Sequence, residues 1–172
     1  QHPYYNNLCP GSGSNQTIAG CVAVAMAQII RYHQYPSHGL GTHTYTDLDY
    51  GSQTANFAGT TYQYSMMPNA LTASSSSAQV NAVATLVRHC GVAANMEYGV
   101  SASSAYDFSA RAAFTNHFGY QTQMVVRSYT SSSPYGFPTE VTVVHDDEWI
   151  AILHTSLDEG NPVYYSGTGS SG

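Results

Sequence analysis

The chain has 172 residues, 42% of them apolar and only 8% charged, with four Lys and Arg against ten Asp and Glu for a formal charge of −6. That length suits one domain, or one large lobe of a bigger one, and is ample for a core. Four cations cannot neutralise a run of phosphates, which argues against nucleic acid and anionic membrane surfaces as partners, and no stretch is apolar for the length needed to cross a bilayer.

With so few charges, surface polarity must come from Ser, Thr, Asn, Gln and fifteen Tyr. Such uncharged polar surfaces are common in exported proteins. No signal peptide opens the chain, so an exported protein would already have lost its targeting segment. Three cysteines, Cys9, Cys21 and Cys90, leave an odd thiol even if two pair. That argues against a disulfide-stapled domain and makes a reactive thiol worth seeking.

Residues 1–20 mix Pro3, Pro10, Gly11, Gly13 and Gly20 with Asn and Ser, and read as an irregular opening segment. From Cys21 to about His33, Val22, Met26, Ile29 and Ile30 recur at helical spacing with Ala23, Ala25 and Ala27 between them. A helix apolar or small nearly all round is expected to be central and packed on several sides. Pro36 and Gly39 should end it. Residues 42–64 alternate polar with aromatic or β-branched residues and suggest short strands and loops.

A serine run at 74–77 precedes a second helix with Val80, Val83, Ala84 and Val87 on one face and Gly91 as its stop. A third helix is expected over Ala105–Phe118, with Ser104 as N-cap and Gly119 after its end. Gln121–Tyr129 reads as a strand. Asp146 and Asp147 favour the start of a fourth helix carrying Trp149, Ile152 and Leu153 and stopping at Gly160. Val163–Tyr165 begins a strand that leads into Gly-Thr-Gly-Ser-Ser-Gly, where a lone strand edge would lack a partner. No repeat or linker is visible, so residues 1–172 read as one unit.

Gly20-Cys21 stands where a polar loop meets an apolar helix. A thiol in the first turn of a helix lies near the positive end of the dipole and near unpaired backbone N–H groups. Both favour thiolate, the nucleophilic form. The same N–H groups suit an oxyanion formed when sulfur attacks a carbonyl, and Gly20 lets a substrate backbone come close. The plainer alternative is a small buried residue at a helix start, since free cysteines are mostly core residues.

The segment Gly20-Cys21-Val22-Ala23-Val24-Ala25-Met26-Ala27-Gln28-Ile29-Ile30-Arg31-Tyr32-His33-Gln34-Tyr35-Pro36, followed by Gly39, resembles the nucleophile helix of the streptopain family of bacterial cysteine peptidases, interpain-type members in particular. Pro3-Tyr4-Tyr5-Asn6-Asn7-Leu8-Cys9-Pro10 resembles the family's opening segment. Tyr62–Pro68 resembles its Tyr-x-Trp-x-x-Met-Pro stretch with Tyr64 in place of Trp. Met96-Glu97-Tyr98-Gly99, Phe118-Gly119-Tyr120 and Pro162-Val163-Tyr164-Tyr165 follow in family order, so the resemblance spans essentially the whole chain.

The resemblance implies an α+β papain-like fold: the nucleophile-bearing helical lobe and the first strands of a β lobe. It implies a secreted endopeptidase with no cofactor, acting on proteins and peptides and made as a precursor whose prosegment is absent here. Cys21 lands on the nucleophile. Gln16 lies upstream at roughly the separation of a second oxyanion donor. Ser104 falls in a substrate-contacting loop, where it can also cap a helix, and Ser166 lies in the segment leading to the family's histidine. The Gly-His motif carrying that histidine, and the later Asn-Trp motif, are not in these 172 residues. The histidine is therefore expected from a segment outside this chain, either a complementary chain left by a nick in the Gly-Ser turn or a portion removed by truncation. The nick is favoured, because flexible Gly-Ser turns are easily cleaved.

Other patterns carry less. His33, His38 and His43 are evenly spaced but straddle a helix end and a Pro-Gly loop, unlike the tight pairs of zinc sites, so no metal is expected. His33 would lie about 18 Å along the helix from Cys21, too far to act as its base. Cys9 and Cys90 read as structural thiols. The rivals are a non-catalytic module on the same fold, or another cysteine acyl-transfer enzyme such as an amidase or transglutaminase.

Overall fold

A computed structural model describes residues 4–127 and 141–167, in two compact units, Gln1–Tyr120 and Gln121–Gly172. In the first unit, helix α1 (Cys21–His33) packs against α2 (Ser77–Ala93) and α3 (Asp107–Phe118), and the antiparallel hairpin β1 (Thr42–Asp47) and β2 (Gly51–Asn56) lies against α2. Phe57, Phe118, Met26, Ile30, Leu86, Val92 and Met96 are the largest apolar side chains sealed in the core.

The bounds of α1 match the sequence expectation. The helix is less enclosed than its composition suggests: Val22, Ala23, Met26, Ala27 and Ile30 are buried, but Cys21, Gln28 and Tyr32 stay exposed along one stripe. Small alanines make a face tolerant of burial without requiring it. The stop also comes earlier than Pro36. Gln34 turns left-handed at φ 49° and donates its N–H to the Arg31 carbonyl, a helix C-cap in which the αL residue is not glycine.

The α2 start is a capping box: the Ser76 hydroxyl accepts from the Gln79 amide while the Gln79 side chain accepts from the Ser76 amide. Gly91 does not stop this helix, as its glycine suggested, but lies inside it. A Cβ there would meet the Tyr98 hydroxyl at 2.3 Å, so glycine is required by packing rather than by a turn. Helix α3 starts at Asp107, with Tyr106 rather than Ser104 at the N-cap and no side-chain cap. Gly119 ends it at φ 71°, as expected.

The hairpin is tied down by a buried carboxylate. Asp47 Oδ1 accepts from the Asp49 and Tyr50 amides at 2.9 and 2.8 Å, closing the turn, and Oδ2 accepts from the Tyr98 amide at 2.7 Å. The Tyr45 hydroxyl reaches the Met96 carbonyl, and Arg88 donates to Gln53 Oε1 at 2.6 Å. The Asp47 bond to Tyr98 and the Tyr45 bond to Met96 hold the 96–98 segment, whose Met96 side chain packs against Gly20.

In the second unit, β3 (Met124–Val126) pairs in parallel with β4 (Val141–Val143), and α4 (Asp146–Asp158) follows. The expected strand over Gln121–Tyr129 shortens to β3; its last two residues lie outside the described residues. Asp146, Asp147 and Glu148 occupy the first turn of α4, and Arg127 binds Asp146 in a two-pronged ion pair at 2.8 and 2.7 Å. No side chain of α4 is buried among the described residues. Val163–Tyr165 forms no strand: residues 161–167 have no ladder partner among the described residues. No described helix is long and apolar enough to cross a membrane.

Candidate active site

Cys21 is the first residue of α1 and is exposed, whereas Cys9 and Cys90 are buried. Burial pushes the Cys9 thiol up to about 11 and the fully enclosed Cys90 thiol higher still, so both stay protonated and inert. The first α1 amide bonded inside the helix is that of Val24, to the Gly20 carbonyl at 3.2 Å. The amides of Cys21, Val22 and Ala23 therefore have no intrahelical acceptor, and they belong to the same helical turn as the thiol.

The five residues before Cys21 are gripped from two sides. From the opening segment, the Pro10 carbonyl takes both the Thr17 amide at 3.0 Å and the Thr17 hydroxyl at 2.7 Å. Asn6 Oδ1 takes the Ala19 amide at 2.9 Å. From the other side, the Gly99 carbonyl takes the Ile18 amide at 3.1 Å, and the buried Ser103 hydroxyl donates to the Ile18 carbonyl at 2.6 Å. Gly20 follows at φ 85°, with Met96 Sδ 2.9 Å and the Ser103 carbonyl 3.1 Å from where a Cβ would sit. The nucleophile candidate thus stands at the end of a backbone with little freedom to move.

Gln16 is half-buried, and its Nε2 donates to the carbonyls of Asn6, Cys9 and Pro10 at 3.1, 2.8 and 3.2 Å. Its two amide hydrogens are committed to the opening segment. Ser104 is exposed and pairs its backbone with Glu97, N–H to carbonyl in both directions at 2.9 and 3.0 Å. It is the neighbouring Ser103, which the sequence did not single out, whose hydroxyl reaches toward the Cys21 segment. Ser166 is exposed, in the irregular stretch of the second unit.

Asn6 was also missed. It is fully buried while Asn7 beside it is exposed and bonded to Asn81, and nothing in Tyr5-Asn6-Asn7-Leu8 distinguishes the two. Three of the histidines serve other contacts: His43 bonds Asn95 at 2.7 Å, His89 bonds the Tyr62 hydroxyl at 2.9 Å, and His33 lies against Tyr120. Among the described residues no three metal-ligating side chains converge.

Streptopain of Streptococcus pyogenes is 31% identical over 183 aligned residues, covering 99% of this chain and 42% of that protein. The thiol protease/hemagglutinin PrtT of Porphyromonas gingivalis is 29% identical, covering 97% of this chain and 18% of that protein. The chain thus spans about two-fifths of streptopain's length and less of PrtT's. Among solved structures, active interpain A cysteine protease of Prevotella intermedia superposes with a TM-score of 0.74 at 34% identity, covering 94% of this chain and 63% of that one. A prointerpain A fragment with a cysteine-to-alanine substitution gives 0.75 at 32% identity, covering 94% and 49%. The α+β fold is therefore the papain-like one of interpain A, with part of it present here. The peptidase C10 family matches residues 1–172 throughout, and the chain belongs to that family.

Proposed function

We propose that this chain is the nucleophile-bearing part of a secreted cysteine endopeptidase, with Cys21 as the attacking residue. The observation that carries the reading is the contrast among the three thiols: the exposed one alone stands at the first residue of a helix, on a braced backbone, in the turn whose amides lack intrahelical acceptors. Family membership supplies the reaction class.

In the proposed reaction the Cys21 thiolate attacks the scissile carbonyl, and the resulting oxyanion is held by the Cys21 N–H. The C–N bond breaks as the amine leaves with a proton from a histidine imidazolium, giving a thioester. Water, deprotonated by that imidazole, then hydrolyses the thioester and restores the thiolate. We place the histidine in a segment outside these residues, for which the greater length of streptopain leaves room. A precursor form fits the prointerpain neighbour.

Ser104 suits substrate contact through its exposed position beside the 99–103 grip, and Ser166 suits the approach to the histidine segment. The role proposed for Gln16 is to hold the opening segment to the residues that lead into Cys21; donation to the oxyanion would require Nε2 to leave three carbonyls. Substituting Cys21→Ala in the intact protein should reduce peptide hydrolysis by at least about 1,000-fold, on the scale of lost covalent catalysis. Iodoacetamide at pH 6 should label Cys21 and spare Cys9 and Cys90. Undiminished hydrolysis by the alanine variant rejects the assignment, and equally slow labelling of all three thiols favours a non-catalytic module.

A further inference from the structure

Asn6 is fully buried in a loop of Pro, Gly and Asn residues, and its carboxamide is only half satisfied. Oδ1 accepts the Ala19 amide at 2.9 Å, while Nδ2 is buried with no hydrogen-bond partner among the described residues. An unsatisfied buried donor costs about 1–3 kcal/mol. A side chain that merely filled this space would avoid that cost by being apolar. The oxygen explains the asparagine: Ala19 is fully buried, and its amide would otherwise have no acceptor.

The oxygen also acts close to the thiol. Two residues of chain span at most about 7 Å, so the bonded Ala19 amide lies close to Cys21, with Gly20 between them packed against Met96 and Ser103. Asn6 is itself locked, its backbone carbonyl accepting from Gln16 Nε2 at 3.1 Å and from the Cys9 amide at 2.8 Å. Releasing Ala19 would let the turn carrying the Cys21 sulfur and amide shift together, and a shift of about 1 Å at a reacting centre can lower the rate on the order of 100-fold.

We propose that Asn6 is a positioning residue for Cys21, its carboxamide oxygen fixing the Ala19 amide and thereby the place from which thiol and oxyanion-binding amide are presented. The inference rests on Cys21 being the nucleophile. It assigns the opening segment to the catalytic apparatus.

The test compares Asn6→Ala with Tyr64→Phe in the intact protein. Tyr64→Phe removes a buried hydrogen bond from the same unit, 2.6 Å to the Pro36 carbonyl, without touching the 17–21 segment. Both should lower the melting temperature. Asn6→Ala alone should reduce kcat at least about tenfold with KM within about twofold, and slow iodoacetamide labelling of Cys21 at pH 6. The proposal is overturned if folded Asn6→Ala keeps kcat and labelling within about twofold of the parent, or if Tyr64→Phe loses as much. Should Asn6→Ala not fold, a backbone ester at Ala19 removes the donated N–H while leaving Asn6 in place, and the same readouts apply. Cys21→Ala separates the two ideas: hydrolysis surviving it refutes the nucleophile itself, whereas hydrolysis lost there but unchanged in Asn6→Ala refutes only the positioning role.

Discussion

At φ 85°, Gly20 occupies backbone that an L side chain reaches only with strain of about 1–2 kcal/mol. A methyl group there would also press the Ser103 carbonyl at 3.1 Å, and backbone cannot swing aside as the Met96 thioether can. Gly20→Ala should therefore destabilise the protein by about 2 kcal/mol or more. It should lower kcat further than the folded fraction explains, because the strain is relieved by moving the residue that carries the thiol. Unfolding in urea together with active-site titration measures both. A variant within about 0.5 kcal/mol of the parent would show that the left-handed turn is not required. The importance of Gly20 was legible from the sequence, since it directly precedes Cys21 at a loop–helix junction. The side chains that grip its neighbours were not, because Asn6, which accepts from Ala19, and Ser103, which donates to Ile18, are distant polar residues in segments without periodicity, where nothing signals burial.

At the scale of elements, periodicity revealed what it physically encodes and no more. It located α1 and most of α2 because apolar residues at helical spacing must find a core. It misjudged Gly91, since a glycine demanded by side-chain contact looks the same in sequence as one that ends a helix. It misplaced the α3 cap because Glu97 claims the Ser104 backbone for a bridge, delaying the helix to Asp107. The strand read at Val163–Tyr165 is absent because β propensity needs a neighbouring edge, which residues 161–167 lack among those described. Two substitutions on α2 follow. Ser76→Ala removes half the capping box and should cost about 1 kcal/mol. Gly91→Ala should cost about 1–3 kcal/mol despite alanine's better helix propensity, because its methyl overlaps the Tyr98 hydroxyl. Removing that hydroxyl relieves the overlap. The double variant Gly91→Ala/Tyr98→Phe should then be more stable than the sum of the single changes predicts, and strict additivity would show that the contact is not the cause.

For the molecule as a whole, the sequence foresaw an α+β fold but not how its histidines respond to acid. His89 is held among Tyr62, whose hydroxyl lies 2.9 Å from Nδ1, the Phe57 ring edge-on at 5.2 Å, and Arg88 beside it in the chain. Burial, reinforced by the Arg88 charge, lowers its pKa to about 4. His117, stacked on Phe57 and close to His43, is lowered as well, chiefly by burial. An unfolded chain protonates histidine near pH 6.5. Between that value and about 4 the unfolded state binds more protons than the folded one, so stability falls as pH falls. The stabilisation is complete above the unfolded pKa, and the part due to His89 amounts to about 3 kcal/mol lost by pH 4. Asp146 bonds Arg127 on the surface of the other unit, and its lowered pKa destabilises the fold in the same direction at still lower pH. Urea unfolding of the first unit at intervals from pH 7 to 4 should thus show a steady decline, with the midpoint of the loss between the folded and unfolded histidine values. His89→Phe should flatten most of that slope while lowering stability at pH 7, where the Tyr62 hydroxyl loses its partner. If the slope persists in the phenylalanine variant, the acid sensitivity belongs to other groups and the buried imidazole is not its source.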